Sequence, residues 1–168
     1  MLSVANALCM HVSSRHHLRS DAISALQASL ADSLGVDIAG DTFELVELDD
    51  TAFDIVLVDG TKLVAYIDEE PFLTVEGANE FPPQRGIVTV DAGAVSFVSN
   101  GADVMRPGIV DADGDIAPGD LVAIAEETHG KVLAIGRALT AGDDMRGSSG
   151  KVVESIHYVG DDLYTFSV

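Results

Sequence analysis

The sequence contains no tryptophan, a single cysteine and no long apolar run. The one cysteine, Cys9, excludes an internal disulfide framework and any zinc site that needs several cysteines. Because no run of about 18 apolar residues occurs, the sequence predicts no transmembrane helix. The first nine residues, MLSVANALC, lack the basic start and the length of a secretory signal. We therefore expect a cytoplasmic protein in which Met10 is the functional start and the preceding residues are a dispensable extension.

Basic residues are also scarce. The chain has 9 Lys and Arg against 28 Asp and Glu, which gives a net charge of −19. The acids are spread along the whole chain, without the block of like charges that marks a disordered tail, and this composition is typical of proteins adapted to molar salt. At an ionic strength of about 1 M the Debye length is about 3 Å, so distant charges scarcely interact. We therefore expect a halophilic, archaeal protein, and its acidity does not exclude a nucleic acid as its partner.

Two segments resemble ligand-binding loops but lack residues that such loops need. DADGDIAPGD alternates aspartates like a calcium-binding EF-hand, yet Ile116 and Val122 stand where that loop needs Gly and Glu. MRGSSGKV resembles a phosphate-binding loop, yet Met145 replaces its first Gly and Val152 replaces the hydroxyl that holds magnesium. No nucleophile with a recognisable base is present. The sequence therefore predicts no calcium, no cofactor and no enzymatic activity.

The histidines do not form a metal-binding pattern. A group of basic residues lies near the N terminus, at His11, Arg15, His16, His17 and Arg19. No cysteine and no second cluster of metal ligands accompanies it, so we expect a solvated basic arm. His157 lies in the strand-like segment SIHYV, so we predict a packed, hydrogen-bonded side chain. No metal site is expected.

The first half of the chain combines one helix with several strands. Ser20 is a candidate helix cap, apolar residues then recur every three or four positions as far as Leu34, and Gly35 ends the pattern. FELVEL and FDIVLVDGTKLVAYID are typical of strands, and Asp59-Gly60 supplies the turn of a tight hairpin. An α+β fold is therefore predicted for this half.

A segment rich in proline and glycine separates the two halves. PFLTVEGANEFPPQRG contains three prolines and two glycines, which favours an extended connection. We place a domain boundary near residue 84. The chain is then divided into an N-terminal extension over residues 1–14, an α+β domain over residues 15–84 and a second domain over residues 85–168.

The second half is predicted to be mostly β. IVTVD is typical of a strand and AGAVSFVSNG of a short helix. Short strands follow at regular spacing with turn signals between them, in the segments ADVMRPGIV, DLVAIAEE, KVLAIGRAL, KVVESIHYV and DLYTFSV. This spacing favours a small barrel or sandwich. Six of the nine basic residues lie in this half.

The same segments carry a family resemblance. The series VTVDAGAVSFVSNGADVMRPGIV, GDLVAIAEETHGKVLAIGRAL and GKVVESIHYVGDDLY resembles the PUA domain, in the form found in the malignant T-cell-amplified sequence protein and ligatin group. Residues 15–84 resemble the pre-PUA domain of that group. The resemblance implies an α+β pre-PUA domain followed by a mostly-β PUA pseudo-barrel with short helices. Tyr164 stands where several relatives have tryptophan in the last strand, so we expect its aromatic packing to be preserved.

The resemblance also implies which residues bind RNA. Glycines would let a sugar-phosphate backbone approach exposed amides, Val104 and Met105 would pack against a base or ribose, and Arg106 would hold a phosphate through two donors. The expected residues on the helix start, the loop and the strand are Gly93, Ala94, Gly101, Ala102, Val104, Met105, Arg106, Pro107 and Gly108. The weaker candidates are Lys131, Arg137, Arg146 and Lys151.

Four of these residues also have a purely structural alternative. Gly93 and Gly101 could serve only as backbone turns, Met105 could belong to the core, and Arg106 could be a solvated surface residue.

The function implied by the resemblance is non-catalytic RNA binding in the translation apparatus. The RNA would be the tRNA 3′ end or small-subunit ribosomal RNA, and the small ribosomal subunit and a translation-factor protein are the expected further partners. Two alternatives stay open. One is a protein-interaction adaptor that docks through the pre-PUA domain, and the other is an RNA-targeting subunit of an RNA-modification enzyme.

Overall fold

The computed structural model describes residues 11–49, 51 and 53–166. The expectations for Cys9, for Met10 and for most of the N-terminal extension lie outside these residues. The first half forms a five-stranded antiparallel sheet whose strands follow chain order. Its strands are β1 (His11–His17), β2 (Phe43–Asp49), β3 (Phe53–Val58), β4 (Thr61–Ile67) and β5 (Glu70–Leu73).

The hairpin predicted at Asp59-Gly60 joins β3 to β4, and both residues have positive φ angles, of 51° and 86°. The basic segment near the N terminus, predicted to be a solvated arm, is instead the edge strand β1. It pairs with β2 from His11↔Asp49 to His17↔Glu44, and all but one of its residues are exposed. Across this pair Arg15 donates to Glu44 at 2.7 Å.

One long helix, α1 (Ser20–Leu34), packs on this sheet. Its buried positions are Leu26, Leu30 and Leu34, which recur at the spacing of one helix face. Gly35 ends the helix in the left-handed region, with φ of 71°. The helix is therefore confirmed, but Ser20 is its first residue and not its cap, because Arg19 occupies the N-cap position without a side-chain hydrogen bond.

The segment predicted as an extended connection contains two elements. Strand β5 pairs with β4, and the short helix α2 (Val75–Glu80) follows it. Thr74 caps α2 because its Oγ1 accepts a hydrogen bond from Gly77 N at 3.0 Å. The prediction of an extended connection was therefore wrong for β5 and α2.

The second half forms a six-stranded sheet that curls into a nearly closed barrel. Its strands are β6 (Ile87–Val90), β7 (Val104–Met105), β8 (Ile109–Ala112), β9 (Leu121–Glu126), β10 (Val132–Ala138) and β11 (Lys151–Tyr158). Their order across the sheet is β7-β11-β10-β9-β6-β8, with only the β6–β9 pair parallel. The two edge strands, β7 and β8, are joined directly by a 3-10 turn, Arg106–Gly108, which draws the edges of the sheet together.

Two short helices accompany the barrel. A 3-10 turn, Ala92–Ala94, leads into α3 (Val95–Val98), where a short helix was predicted. The helix α4 (Asp162–Thr165) lies in the segment DLYTFSV, so the prediction of a last strand there was wrong. Asp161 caps α4 by accepting a hydrogen bond from Tyr164 N at 2.9 Å. Tyr164 itself is half-buried against the N-terminal sheet.

The two halves share one hydrophobic core. The cluster that contains the α1 leucines also contains Leu121, Ala123 and Ile135 of the barrel strands and Leu163 of α4. A second cluster fills the interior of the barrel. No helix in the described part of the chain is long and apolar enough to cross a membrane.

Buried polar contacts reinforce this junction. His157 is buried and its Nε2 accepts a hydrogen bond from Val75 N at 3.1 Å, so the ring proton lies on Nδ1 and is donated to Asp161 at 2.9 Å. The prediction of a packed, hydrogen-bonded His157 is confirmed. Burial, the largest single influence, would raise the pKa of Asp161, but the interaction with His157 and the hydrogen bonds from the backbone N–H groups of Tyr158 and Tyr164 together outweigh it, so that this pKa lies below its usual value.

Lys62 is a second polar connection between the halves. Its side chain is only 12% exposed, and Nζ donates to the carbonyls of Leu163 at 3.1 Å and Tyr164 at 2.9 Å and to that of Phe166. Helix carbonyls at a C-terminus have no partner within the helix. Lys62 therefore links the C-terminal end of α4 to strand β4 through hydrogen bonds.

Candidate functional site

A cavity of about 470 Å³ opens beside the first short helix of the barrel. Its walls come from the turn before α3, from α3 itself, from the loop that follows and from β7 with its 3-10 turn. The lining residues are Asp91, Gly93, Ala94, Phe97, Val98, Ala102, Asp103, Val104, Met105, Pro107 and Gly108. Seven of the nine residues expected on this face are among them, and Gly101 and Arg106 are not.

Two large apolar side chains project at this cavity. Phe97 is 66% exposed and Met105 is 49% exposed. An exposed aromatic residue beside a cavity is a feature that typically marks a binding surface. Met105 is therefore not a core residue. Phe97 was not among the residues expected from the sequence to bind RNA, and the structure places it at the surface beside the cavity.

The small residues have different reasons for being small. Gly93 has an ordinary φ angle, and a Cβ added there would meet only Asp91 Oδ1, at 3.4 Å. Gly101 has φ of 91°, and a Cβ there would lie 2.7 Å from the ring of Tyr158. Gly101 is thus required by the fold, whereas Gly93 leaves space that belongs to the cavity.

Val104 does not offer its side chain to a ligand. It is 2% exposed and belongs to the interior of the barrel, because β7 turns alternate residues to opposite faces. The expectation that Val104 packs against a base is therefore wrong for its side chain, and its neighbour Met105 is the residue that faces outward.

Arg106 is occupied by its own chain. Its Nε donates to Asp144 O at 2.8 Å and its Nη1 donates to Ser149 O at 3.0 Å. The loop between β10 and β11 wraps round this side chain so closely that a Cβ on Gly150 would lie 2.8 Å from Nη1. Arg106 therefore positions the loop, and only the donors that remain on Nη1 and Nη2 are free for a ligand.

The other cations fall into two groups. Lys151 lies opposite Met105 in the β7–β11 pair, and its Nζ is 3.3 Å from Asp103 Oδ2. Arg146 is exposed on the loop that Arg106 holds, and within the described residues it has no acidic side chain within 4 Å. Lys151 therefore lies next to a residue that lines the cavity, and Arg146 belongs to the loop that Arg106 holds.

Lys131 and Arg137 lie elsewhere. Lys131 lines a separate cavity of about 620 Å³ between α2 and the β9–β10 turn. Arg137 donates to Gly119 O at 2.7 Å and lies 3.5 Å from Asp68 Oδ2. The structure does not bring these two cations to the cavity beside α3.

Two carboxylates line the cavity as well. Asp91 is half-buried, and its Oδ1 accepts a hydrogen bond from Ala94 N at 3.0 Å, which caps the turn before α3. Asp103 accepts a hydrogen bond from Ser155 N at 2.8 Å. Within the described residues no group of three or more His, Cys, Asp and Glu side chains is arranged to hold a metal ion. Nothing in the sequence singled out these two aspartates among its many acidic residues.

Comparison with known proteins agrees with the fold. The PUA domain is matched over residues 86–159. An uncharacterised protein of Methanocaldococcus jannaschii is 40% identical over 115 residues, which cover 68% of this chain and 71% of the relative. Translation machinery-associated protein 20 of Saccharomyces cerevisiae is 33% identical over 132 residues, which cover 74% of this chain and 72% of that protein.

A solved structure extends the match to nearly the whole chain. A hypothetical protein from Pyrococcus horikoshii superposes with a TM-score of 0.80 at 32% identity, over 90% of this chain and 98% of that one. The predicted fold class, an α+β unit followed by a mostly-β pseudo-barrel, is confirmed. The chain belongs to the PUA-domain family that includes translation machinery-associated protein 20 and malignant T-cell-amplified sequence 1.

Proposed function

We propose that this chain is a non-catalytic RNA-binding protein of the translation apparatus, which receives an unpaired nucleotide of a structured RNA in the cavity beside α3. The observation that carries the proposal is the exposed pair Phe97 and Met105 at a cavity lined with small residues. The tRNA 3′ end is the RNA that we favour, because its last nucleotides are single-stranded. The small ribosomal subunit is the expected place of action.

The chemistry of the cavity suits a base better than a phosphate. Single-stranded RNA is commonly recognised by stacking its bases on aromatic side chains, and each stacked base contributes about 1–3 kcal/mol. Phe97 offers such a face and Met105 an apolar contact. The two aspartates that line the cavity would repel a phosphate, so the backbone of the RNA would remain outside.

Cations at the rim suit that outer backbone. Lys151 is adjacent to Met105 across the strand pair, and Arg106, which follows Met105, keeps free donors on Nη1 and Nη2. Contacts of this kind act over short distances and weaken as salt rises, so in molar salt the stacked base supplies most of the affinity. The acidic remainder of the surface does not oppose binding under halophilic conditions, because long-range repulsion is screened there.

The test is binding of labelled tRNA in about 1 M KCl, with the 3′-terminal CCA present or removed. We expect intact tRNA to bind and the truncated tRNA to bind much more weakly. Phe97→Ala should lower the affinity for intact tRNA by about 5- to 100-fold, which is the range of one lost stacking contact.

Leu139→Ala is the matched control, because Leu139 is also exposed on the barrel, at 45%, but does not line the cavity. It should bind tRNA like the unaltered chain. Binding that depends on neither CCA nor Phe97 would remove this site from the proposal. No binding to either tRNA would leave ribosomal RNA and protein partners as the molecules to test.

A further inference from the structure

We propose that the cavity discriminates between bases, accepting one that carries an exocyclic amino group and disfavouring uracil, and that Asp91 is the residue that discriminates. This inference rests on the proposed function, because it concerns the base that enters the same cavity. Uracil is the one standard RNA base without an exocyclic amino group. Comparing cytosine with uracil is therefore sufficient to test for this preference.

Asp91 lines the cavity and has an acceptor oxygen to spare. Its Oδ1 is used by the backbone N–H of Ala94, at 3.0 Å. Its Oδ2 receives no hydrogen bond from the residues that the structure describes. A carboxylate has about four lone-pair sites and is an acceptor only. Asp91 can therefore cap its helix turn and accept a further hydrogen bond from a ligand at the same time.

Asp103 lines the same cavity but is already engaged at both oxygens. Its Oδ1 accepts from Ser155 N at 2.8 Å, and its Oδ2 is 3.3 Å from Lys151 Nζ. Both partners belong to strand β11, so Asp103 joins the loop before β7 to that strand. The two carboxylates of the cavity thus have different roles, and Asp91 is the one with capacity for a base.

The surroundings make that single acceptor selective. Phe97, Met105, Ala94 and Pro107 supply an apolar wall, in which a polar group without a partner is costly. The N4 amino group of cytosine would donate to the carboxylate, whereas uracil presents the O4 oxygen at the same position. Two acceptors would then face each other, and uracil could donate to the carboxylate only after shifting to present its N3–H. We therefore expect uracil to be disfavoured in the orientation that cytosine adopts.

The experiment uses the full chain and one hairpin RNA that carries a short single-stranded 3′ tail of either cytidines or uridines. In about 1 M KCl we expect the unaltered chain to bind the cytidine tail about tenfold more tightly. Asp91→Asn should reduce this ratio to about twofold or less, because an amide offers a donor to O4 as well as an acceptor. Its fold should be intact, since Asn is as good a helix cap as Asp.

Two further variants separate the possible failures. Asp103→Asn should keep the cytidine preference, because Asp103 is not the discriminating residue. Phe97→Ala should weaken both tails by the same factor, because stacking does not depend on the amino group.

Equal binding of both tails by the unaltered chain, with Phe97→Ala weakening both, would overturn the role of Asp91 and leave the proposed function standing. A cytidine preference that survives Asp91→Asn would also overturn it. No binding of either tail would remove the proposed function, and this inference with it.

Discussion

Arg106 is predicted to be a structural anchor, and its replacement tests this. Arg106→Met removes the donors to Asp144 O and Ser149 O, while the apolar stem that packs against Gly147 is largely retained. The loop between β10 and β11 then loses the side chain round which it is wrapped. We expect the loop to open before the rest of the barrel unfolds.

The size of the effect follows from the exposure of these bonds. Hydrogen bonds to a charged group contribute about 1.5–3 kcal/mol when they are well shielded, and less where water can replace them. Arg106 is half-exposed, so we assign about 1 kcal/mol to each of its two bonds. Arg106→Met should therefore lower the free energy of unfolding by about 2 kcal/mol. Arg106→Lys should lower it by about 1 kcal/mol, because one ammonium cannot reproduce the fork of a guanidinium.

The assay is urea unfolding in about 1 M KCl, together with hydrogen exchange of the loop amides. Arg146→Met is the matched control, because it removes a cation from the same loop at a side chain that is exposed. The control should unfold like the unaltered chain and keep its exchange rates. If Arg106→Met behaved like Arg146→Met in both measurements, Arg106 would be a surface charge and the anchoring role would be refuted.

Two further predictions concern the junction between the halves. The pKa of Asp161 is lower in the folded chain than in the unfolded one, so its stabilising contribution is complete above about pH 4 and is lost as the pH falls through the folded value. Unfolding free energy measured from pH 5 downward should thus fall more steeply for the unaltered chain than for Asp161→Asn, and equal slopes would contradict the assignment. Lys62→Met should lower the free energy of unfolding by about 1.5–3 kcal/mol, because it removes the charged donor to the carbonyls at the end of α4. Exposed Lys131→Met should cost less than about 0.5 kcal/mol, and equal costs would show that α4 needs no such fastening.

Local patterns in the sequence predicted much of the fold. The spacing of Leu26, Leu30 and Leu34 with a glycine after them specifies α1, and Asp59-Gly60 specifies the β3–β4 turn. These are local signals, since a helix face and a tight turn are fixed by residues a few positions apart. Strand segments rich in β-branched residues were recognised for the same reason.

The incorrect predictions depend on contacts with residues distant in sequence. DLYTFSV has the composition of a strand, yet Asp161 caps it and Lys62, about a hundred positions earlier, holds its carbonyls, so it is helical. The connection rich in proline and glycine contains α2 because Thr74 caps it, and its first amide is bound by the distant His157. The caps Thr74 and Asp161 are local signals of a helix start, whereas no local pattern reports the distant partners Lys62 and His157.

The sequence indicated which elements surround the cavity better than it indicated where each side chain points. The helix start, the glycine loop and β7 do meet at one cavity, as the family resemblance implied. The sequence could not show which side chains point outward, because a shift of one residue along a strand exchanges the buried face for the exposed face. Val104 and Met105 are that case, and Phe97 is the corresponding case on a very short helix. Arg106 was expected to bind a ligand, because nothing near it in sequence indicates another partner. The carbonyls that it binds lie about forty residues further along the chain.

The shared hydrophobic core fixes the N-terminal sheet and the barrel relative to each other. Barrel strands and the α1 leucines pack in one cluster, and His157 and Lys62 tie the two halves at separate points. The exposed edge of β1 and the cavity beside α3 are consequently held at a fixed separation, without a hinge between them. A partner that bound the N-terminal sheet would thereby also fix the position and the orientation of the cavity beside α3.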